Sequence, residues 1–202
     1  MTALVTVAIL TASAFAQKNE LTGIIARTFI SDQGVKNSNL FNNDVHFGKG
    51  WTFEVNYGHH LFGEGFTQVT FEVPAVFDLD EDLRFVANTV PSSYQSYFVT
   101  PSLRANILAT TAISPWVSLG GGFGHFRPAS HLEFGGASGA KSSTTGVMQI
   151  GIGLDVRLKS RLSLRGEARD FWSGTPDILV DTGKSRQHNY VVGGGVVWRF
   201  GK

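Results

Sequence analysis

Residues 188–200 read His-Asn-Tyr-Val-Val-Gly-Gly-Gly-Val-Val-Trp-Arg-Phe. One parity carries Tyr190, Val192, Gly194, Val196, Trp198 and Phe200; the other carries Asn189, Val191, Gly193, Gly195, Val197 and Arg199. The first row is apolar, with aromatics toward both ends. The second is small or polar. Side chains alternate across a strand, so this segment fits a strand with one face in an apolar medium and the other toward a narrow polar interior. A helix would mix the two rows around its circumference.

The same alternation recurs along the chain, and eight segments carry it: about 20–30, 49–61, 65–76, 96–107, 115–126, 144–158, 161–172 and 188–200. The sixth is the cleanest. Met148, Ile150, Ile152, Leu154, Val156 and Leu158 oppose Val147, Gln149, Gly151, Gly153, Asp155 and Arg157. Each segment is near the roughly 9–11 residues that cross a bilayer at a tilt. The links alternate in length. Links 31–48, 77–95, 127–143 and 173–187 are long, whereas 62–64, 108–114 and 159–160 are short. A soluble sandwich has no reason for that regularity; a membrane barrel with long outer loops and short inner turns does.

Composition agrees. The chain has 202 residues, 24 of them Gly and 16 Phe, no Cys and a net charge of +1. No disulfide, thiolate metal site or lipoprotein anchor is available, and no general attraction to nucleic acid follows. Residues 2–16 are uncharged and mostly apolar and end in Ala14-Phe15-Ala16. This is the pattern of a cleaved export signal. The expected organisation is a signal peptide over 1–16 and one barrel domain over 17–202.

The eight segments, the loop parity and the terminal Trp198-Arg199-Phe200 resemble the small outer-membrane barrels of the OmpA, OmpX and OmpW type, the outer membrane protein β-barrel domain families. The resemblance covers about Glu20 to Phe200. It implies an all-β, eight-stranded antiparallel up-and-down transmembrane barrel in the bacterial outer membrane, reached through the periplasm. It also implies contact with outer-membrane lipid and lipopolysaccharide, insertion by the barrel-assembly machinery, and a monomer. The implied role is non-enzymatic, structural or at the cell surface, with minor passage of small solutes and no cofactor.

The interior of such a barrel is just wide enough for its own side chains. The inward parity includes Glu54, Glu72, Arg104, Asp155, Arg157, Arg165, Glu167 and Arg169. Buried charge is costly unless paired, so these residues are expected to form cross-strand pairs that hold the barrel shut, with Arg104, Arg165 and Arg169 near Glu54, Glu72 and Glu167. Trp51, Tyr57, Trp198 and Phe200 are the expected anchors in the interfacial belts; Trp116, Phe123 and Phe126 also lie near strand ends.

Other motifs carry less. The runs Gly120-Gly121-Gly122 and Gly193-Gly194-Gly195 sit inside strands with no helix behind them, so they are not nucleotide loops. Adjacent His59 and His60 point to opposite faces and cannot share one metal. Three rival readings remain open. A lipid-modifying enzyme would use His125 or His131 with Ser130 or Ser138. A narrow channel for small hydrophobic compounds would use apolar interior surface, for which Phe66, Phe98 and Trp116 are candidates. A secreted lipocalin-like carrier would turn the apolar rows inward.

Overall fold

The computed structural model describes residues 18–48, 50–63 and 65–201. The expected signal segment 1–16 and its cleavage site lie outside the described residues. The eleven strands are β1 Asn19–Phe29, β2 Gln33–Gly34, β3 Asp44–Phe47, β4 Trp51–Phe62, β5 Thr67–Arg84, β6 Ser93–Val99, β7 Ser102–Ile107, β8 Ile113–Pro128, β9 Ser143–Lys159, β10 Leu162–Gly174 and β11 Arg186–Phe200.

These strands close into an eight-walled antiparallel barrel. The pairing runs β1–β4–β5, then β6 and β7 together as the fourth wall, then β8–β9–β10–β11. β11 returns to β1, with Phe200 opposite Asn19 and Tyr190 opposite Phe29. Closure gives every wall two partners, so no long strand edge is left open to a second chain.

Alternation sets which face points out. Along β1 the burial pattern alternates strictly from Glu20 to Ala26, and β4 repeats it from Trp51 to Gly58. The outward row of β9 carries Met148, Ile150, Ile152 and Leu154, all more than two-fifths exposed. A surface so uniformly apolar is a lipid-facing band. It places the apolar rows outside the barrel and thereby overturns the lipocalin-like reading.

Two departures from the expected strands matter. β5 continues to Arg84, well past position 76, and forms a hairpin with β6, shifting register between Asp78 and Glu81. The fourth wall is interrupted at Thr100-Pro101 and lies opposite Pro74 of β5. Proline has no N–H to give a ladder; the Thr100 amide to the Pro74 carbonyl (3.3 Å) and the Gly121 amide to the Pro101 carbonyl (3.1 Å) bridge that stretch. Gly122 of β8 allows this close approach, because a Cβ there would run into the Val99 carbonyl.

The long links are not loose. β3 pairs with the extension of β5, His46 opposite Arg84. Lys36 donates to the Asp181 carbonyl at 2.7 Å, tying the first link to the fourth. Asn88 donates to the Gly135 carbonyl and accepts from the Phe134 amide, both at 2.9 Å, tying the second to the third.

Candidate functional site

The interior divides along the barrel axis. Toward the short turns it is charged. Toward the long loops it is apolar, and the loops themselves complete it.

The charged part takes a charged side chain from every wall except β8, which contributes Trp116. Among the described residues it holds Glu20, Glu54, Glu72, Asp155 and Glu167 against Arg104, Arg165, Arg169 and Arg199. Arg104 Nη2 meets Glu20 at 2.6 Å and its Nη1 meets Glu72 Oε2 at 3.0 Å. Arg165 grips Asp155 with two parallel bonds, Nε to Oδ1 at 2.7 Å and Nη2 to Oδ2 at 2.9 Å. Such a fork is the strongest geometry a guanidinium and a carboxylate can form. Arg169 reaches Glu72 at 2.9 Å, Glu167 at 2.8 Å and Glu54 at 3.5 Å.

Neutral groups complete the shell. Asn56 and Ser102 each donate to Glu72 at 3.1 Å, and Arg104 Nε donates to Asn106 at 2.8 Å. Trp116 of β8 lies at the centre, 5.8, 5.2 and 5.2 Å from the guanidinium carbons of Arg104, Arg165 and Arg169. Cations over an indole face gain from its quadrupole, most when desolvated. Gly153 of β9 makes room for that ring; a Cβ there would overlap it.

Six of the expected interior residues therefore share one network directly: Glu72, Arg104, Asp155, Arg165, Glu167 and Arg169, with Glu54 at its edge. Arg157 does not join. It is half-buried at the short-turn rim and donates to the Ala109 carbonyl at 2.7 Å, because β9 loses its regular register to β10 there. Arg165 pairs with Asp155 and Glu20 instead of the glutamates of β4 and β5. Glu20 and Arg199 also belong to the network, beyond the residues expected from the sequence. Arg199 stands on the inward parity of its strand, and that parity was its available signal.

The apolar part contains Phe98, Phe126 and Phe171. Phe98 stacks on Phe171 with centroids 5.0 Å apart and meets Phe126 edge-on at 5.8 Å. Val45, Leu83, Phe85, Val90 and Ile178 descend from the loop end and pack on the same cluster. Phe126 and Trp116 thus point inward and are not belt residues, and Phe66 faces outward at 64% exposure. Trp51, Tyr57 and Trp198 stand on the outer surface, and Phe200 stacks on Trp198 with centroids 5.1 Å apart. Arg27 lies over the Trp51 ring at 3.9 Å.

The enzymatic candidates are not assembled. His131 Nε2 meets Ser92 Oγ at 2.9 Å, and His125 Nδ1 meets Thr144 Oγ1 at 2.9 Å. Glu133, the nearest acid in sequence, accepts from the Phe85 amide at 2.8 Å. His59 and His60 bond to Asn19 and the Val69 carbonyl, respectively. No group of three His, Asp or Glu side chains suited to a metal converges among the described residues.

Comparison with known proteins agrees with this architecture. The family model for the outer membrane protein beta-barrel domain matches residues 2–200. The chain is similar to the outer membrane protein OprG from Pseudomonas aeruginosa, at 13% identity, 93% of this chain and 97% of that one, with a TM-score of 0.62. It is also similar to the outer membrane protein AlkL, at 14% identity, 92% and 91% coverage and a TM-score of 0.54. Neisserial surface protein A aligns at 11% identity, 90% and 97% coverage and a TM-score of 0.53. No curated protein matches the chain. The chain belongs to the outer membrane protein beta-barrel domain family and is a bacterial outer-membrane protein.

Proposed function

We propose that this protein is a non-enzymatic barrel that presents a fixed loop surface to the cell exterior, while its charge network keeps the lumen closed. The observation that carries the reading is the use of the apolar half of the interior. Loop residues Val45, Phe85, Val90 and Ile178 insert into the aromatic cluster of the walls. Loops selected only for solvent would be polar and need no such anchorage. In this reading the long loops face outward, the barrel works as a monomer in contact with lipid and lipopolysaccharide, and the barrel-assembly machinery inserts it. Solute passage is minor because Arg104, Arg165, Arg169 and Trp116 fill the inner half.

The test is complementation of a deletion strain with a variant in which short Gly-Ser turns replace the four long loops. The variant should assemble and keep its heat-modifiable gel migration, yet fail to restore surface binding or adhesion. Full restoration by the loopless barrel would place the function in the walls and sink the reading.

The interrupted wall favours a second reading, in which small apolar compounds enter the outer half and leave sideways into the membrane. Phe98 of the aromatic cluster lies two residues from Thr100-Pro101, where the ladder to Pro74 is thinnest. Proteoliposome uptake of a small alkane or aromatic alcohol tests it. Uptake that falls in a Pro101→Val variant would support this path, and no uptake by the wild type would exclude it.

A further inference from the structure

A second polar cluster lies at the outer mouth of the lumen. β5 runs past Phe77, which meets Tyr97 edge-on in the outer aromatic belt at 6.1 Å. The register shift between Asp78 and Glu81 then brings both carboxylates inward, where each is 0% exposed. They converge on Gly50. Its amide donates to Glu81 Oε2 at 3.1 Å. Asp78 Oδ1 and the Asp80 carbonyl lie against the face of Gly50 where any Cβ would collide. Tyr94 stands opposite Glu81 in the ladder and is 1% exposed.

These oxygens have few donors, and all of them are neutral. Glu81 Oε1 has no hydrogen-bond partner. Asp78 is approached by the Thr28 hydroxyl, itself bonded to that of Thr52 at 2.6 Å, and by the Asp80 amide, and Tyr94 by the Gln187 side chain. The guanidiniums of the interior network are engaged deeper, with Glu20, Glu54, Glu72, Asp155 and Glu167. Among the described residues, no lysine or arginine pairs with Asp78 or Glu81; Lys49 lies outside them. A buried charge without an opposite charge carries its desolvation cost. Two buried carboxylates held only by neutral donors in one place call for a cation.

We propose that Asp78 and Glu81, with the Tyr94 hydroxyl and the Asp80 carbonyl, form a calcium-binding site that clamps the loop end of the barrel. All donors are oxygen, which selects a hard cation and disfavours zinc or copper. Calcium tolerates irregular coordination, whereas magnesium demands a near-ideal octahedron. Only two carboxylates contribute, so the affinity belongs to the weak extracellular class, with Kd about 10⁻⁴–10⁻³ M. Burial first, and then the charges of Asp78, Asp82 and Asp80, push the Glu81 carboxyl up to about 8. Glu81 stands beyond the outer aromatic belt, outside the lipid-crossing part of β5. A bound dication would reverse that shift. It would also join β5, β6 and the Gly50 backbone, the three segments on which the loop cap rests.

The experiment uses the mature chain refolded in zwitterionic detergent without lipopolysaccharide. Thermal loss of the SDS-resistant form is followed at neutral pH in EDTA, millimolar calcium or millimolar magnesium. Terbium luminescence sensitised by tyrosine provides a direct binding signal. The expected result is a rise of several degrees in the midpoint with calcium, less with magnesium, and calcium-displaceable terbium emission. Both signals should vanish in Asp78→Asn/Glu81→Gln. If that variant does not fold, Tyr94→Phe should fold and weaken the calcium midpoint several-fold. An absent calcium response in the wild type overturns the proposal, as does an undiminished response in these variants. A large stability loss in Lys49→Met, with the wild type blind to calcium, assigns a lysine counter-ion and overturns it too.

Discussion

Arg169 Nη1 lies 2.9 Å from Glu72 Oε1, joining β10 to β5 across the lumen, 97 residues apart in sequence. The two walls are not neighbours in the barrel, so their connection runs through the interior and not through the backbone ladder. The ion pair therefore acts as a strut. Removing one partner leaves the other buried and uncompensated, at a cost of about 3–5 kcal/mol. Glu72→Gln and Arg169→Gln should each lower the unfolding free energy of the refolded barrel, measured in urea, by that order. Equal, near-zero losses would show that water already reaches the network.

Trp116 and Gly153 form a matched pair. The indole, together with the Gly166 carbonyl, occupies the space where a Cβ on residue 153 would stand. Gly153→Ala should impair assembly, measured as loss of the unboiled gel band. Trp116→Leu should cost about 2–5 kcal/mol, from the cavity and the lost cation contacts. The double variant Gly153→Ala/Trp116→Leu should recover part of the defect. Simple additivity of the two losses would mean that the contact does not limit folding.

Glu81 predicts a pH dependence. Its folded-state pKa of about 8 lies above the ordinary glutamate value of 4.5, so the folded protein holds the proton more tightly than the unfolded chain. Stability is then greatest below 4.5 and falls as pH rises from there to about 8. Asp78, Asp80 and Asp82 of β5 and Tyr94 of β6 face the group, and the Gly50 amide is its donor. In EDTA, unfolding curves across that window should show a loss on the order of a few kcal/mol. Glu81→Gln should flatten the slope. An unchanged slope in the variant would assign the dependence to another group.

Much of this barrel was legible from alternation alone. Strand β9 shows why: its outward residues are apolar and its inward ones polar or small, so parity reads directly as direction. The legible part of the site was the charged half, because Arg104, Arg165 and Arg169 contrast with their outward neighbours. The apolar half was not legible. Ile24 and Ile25 are both apolar, yet one is 3% and the other 57% exposed; their own hydrophobicity does not separate them, and only the parity set by Glu20 and Thr22 does. The extension of β5 was hidden differently. Asp78-Leu79-Asp80-Glu81-Asp82 reads as solvated loop, and the bulge within it breaks the two-residue period. Glu20 and Arg199 sit near strand ends, where parity is visible but burial depends on the tilt of the walls.

The loop cap should be separable from the barrel. Ile178 is 5% exposed and packs from the fourth long link into the aromatic cluster. Lys184, exposed in the same link, is a trypsin site. In the wild type, cleavage at Lys184 requires local opening of a segment held by the Ile178 contact and by the bond from the Lys36 amide to the Asp181 carbonyl. Ile178→Asp places a charge in the apolar cluster and should release the link without touching the interior network. Proteolysis follows the population of the open form when opening is fast. Trypsin treatment of intact cells should therefore cleave the variant at least tenfold faster, while the heat-modifiable barrel remains. Equal cleavage rates would mean that the loop is held by its backbone bonds alone. Loss of the barrel together with the loop would mean that cap and walls unfold as one unit.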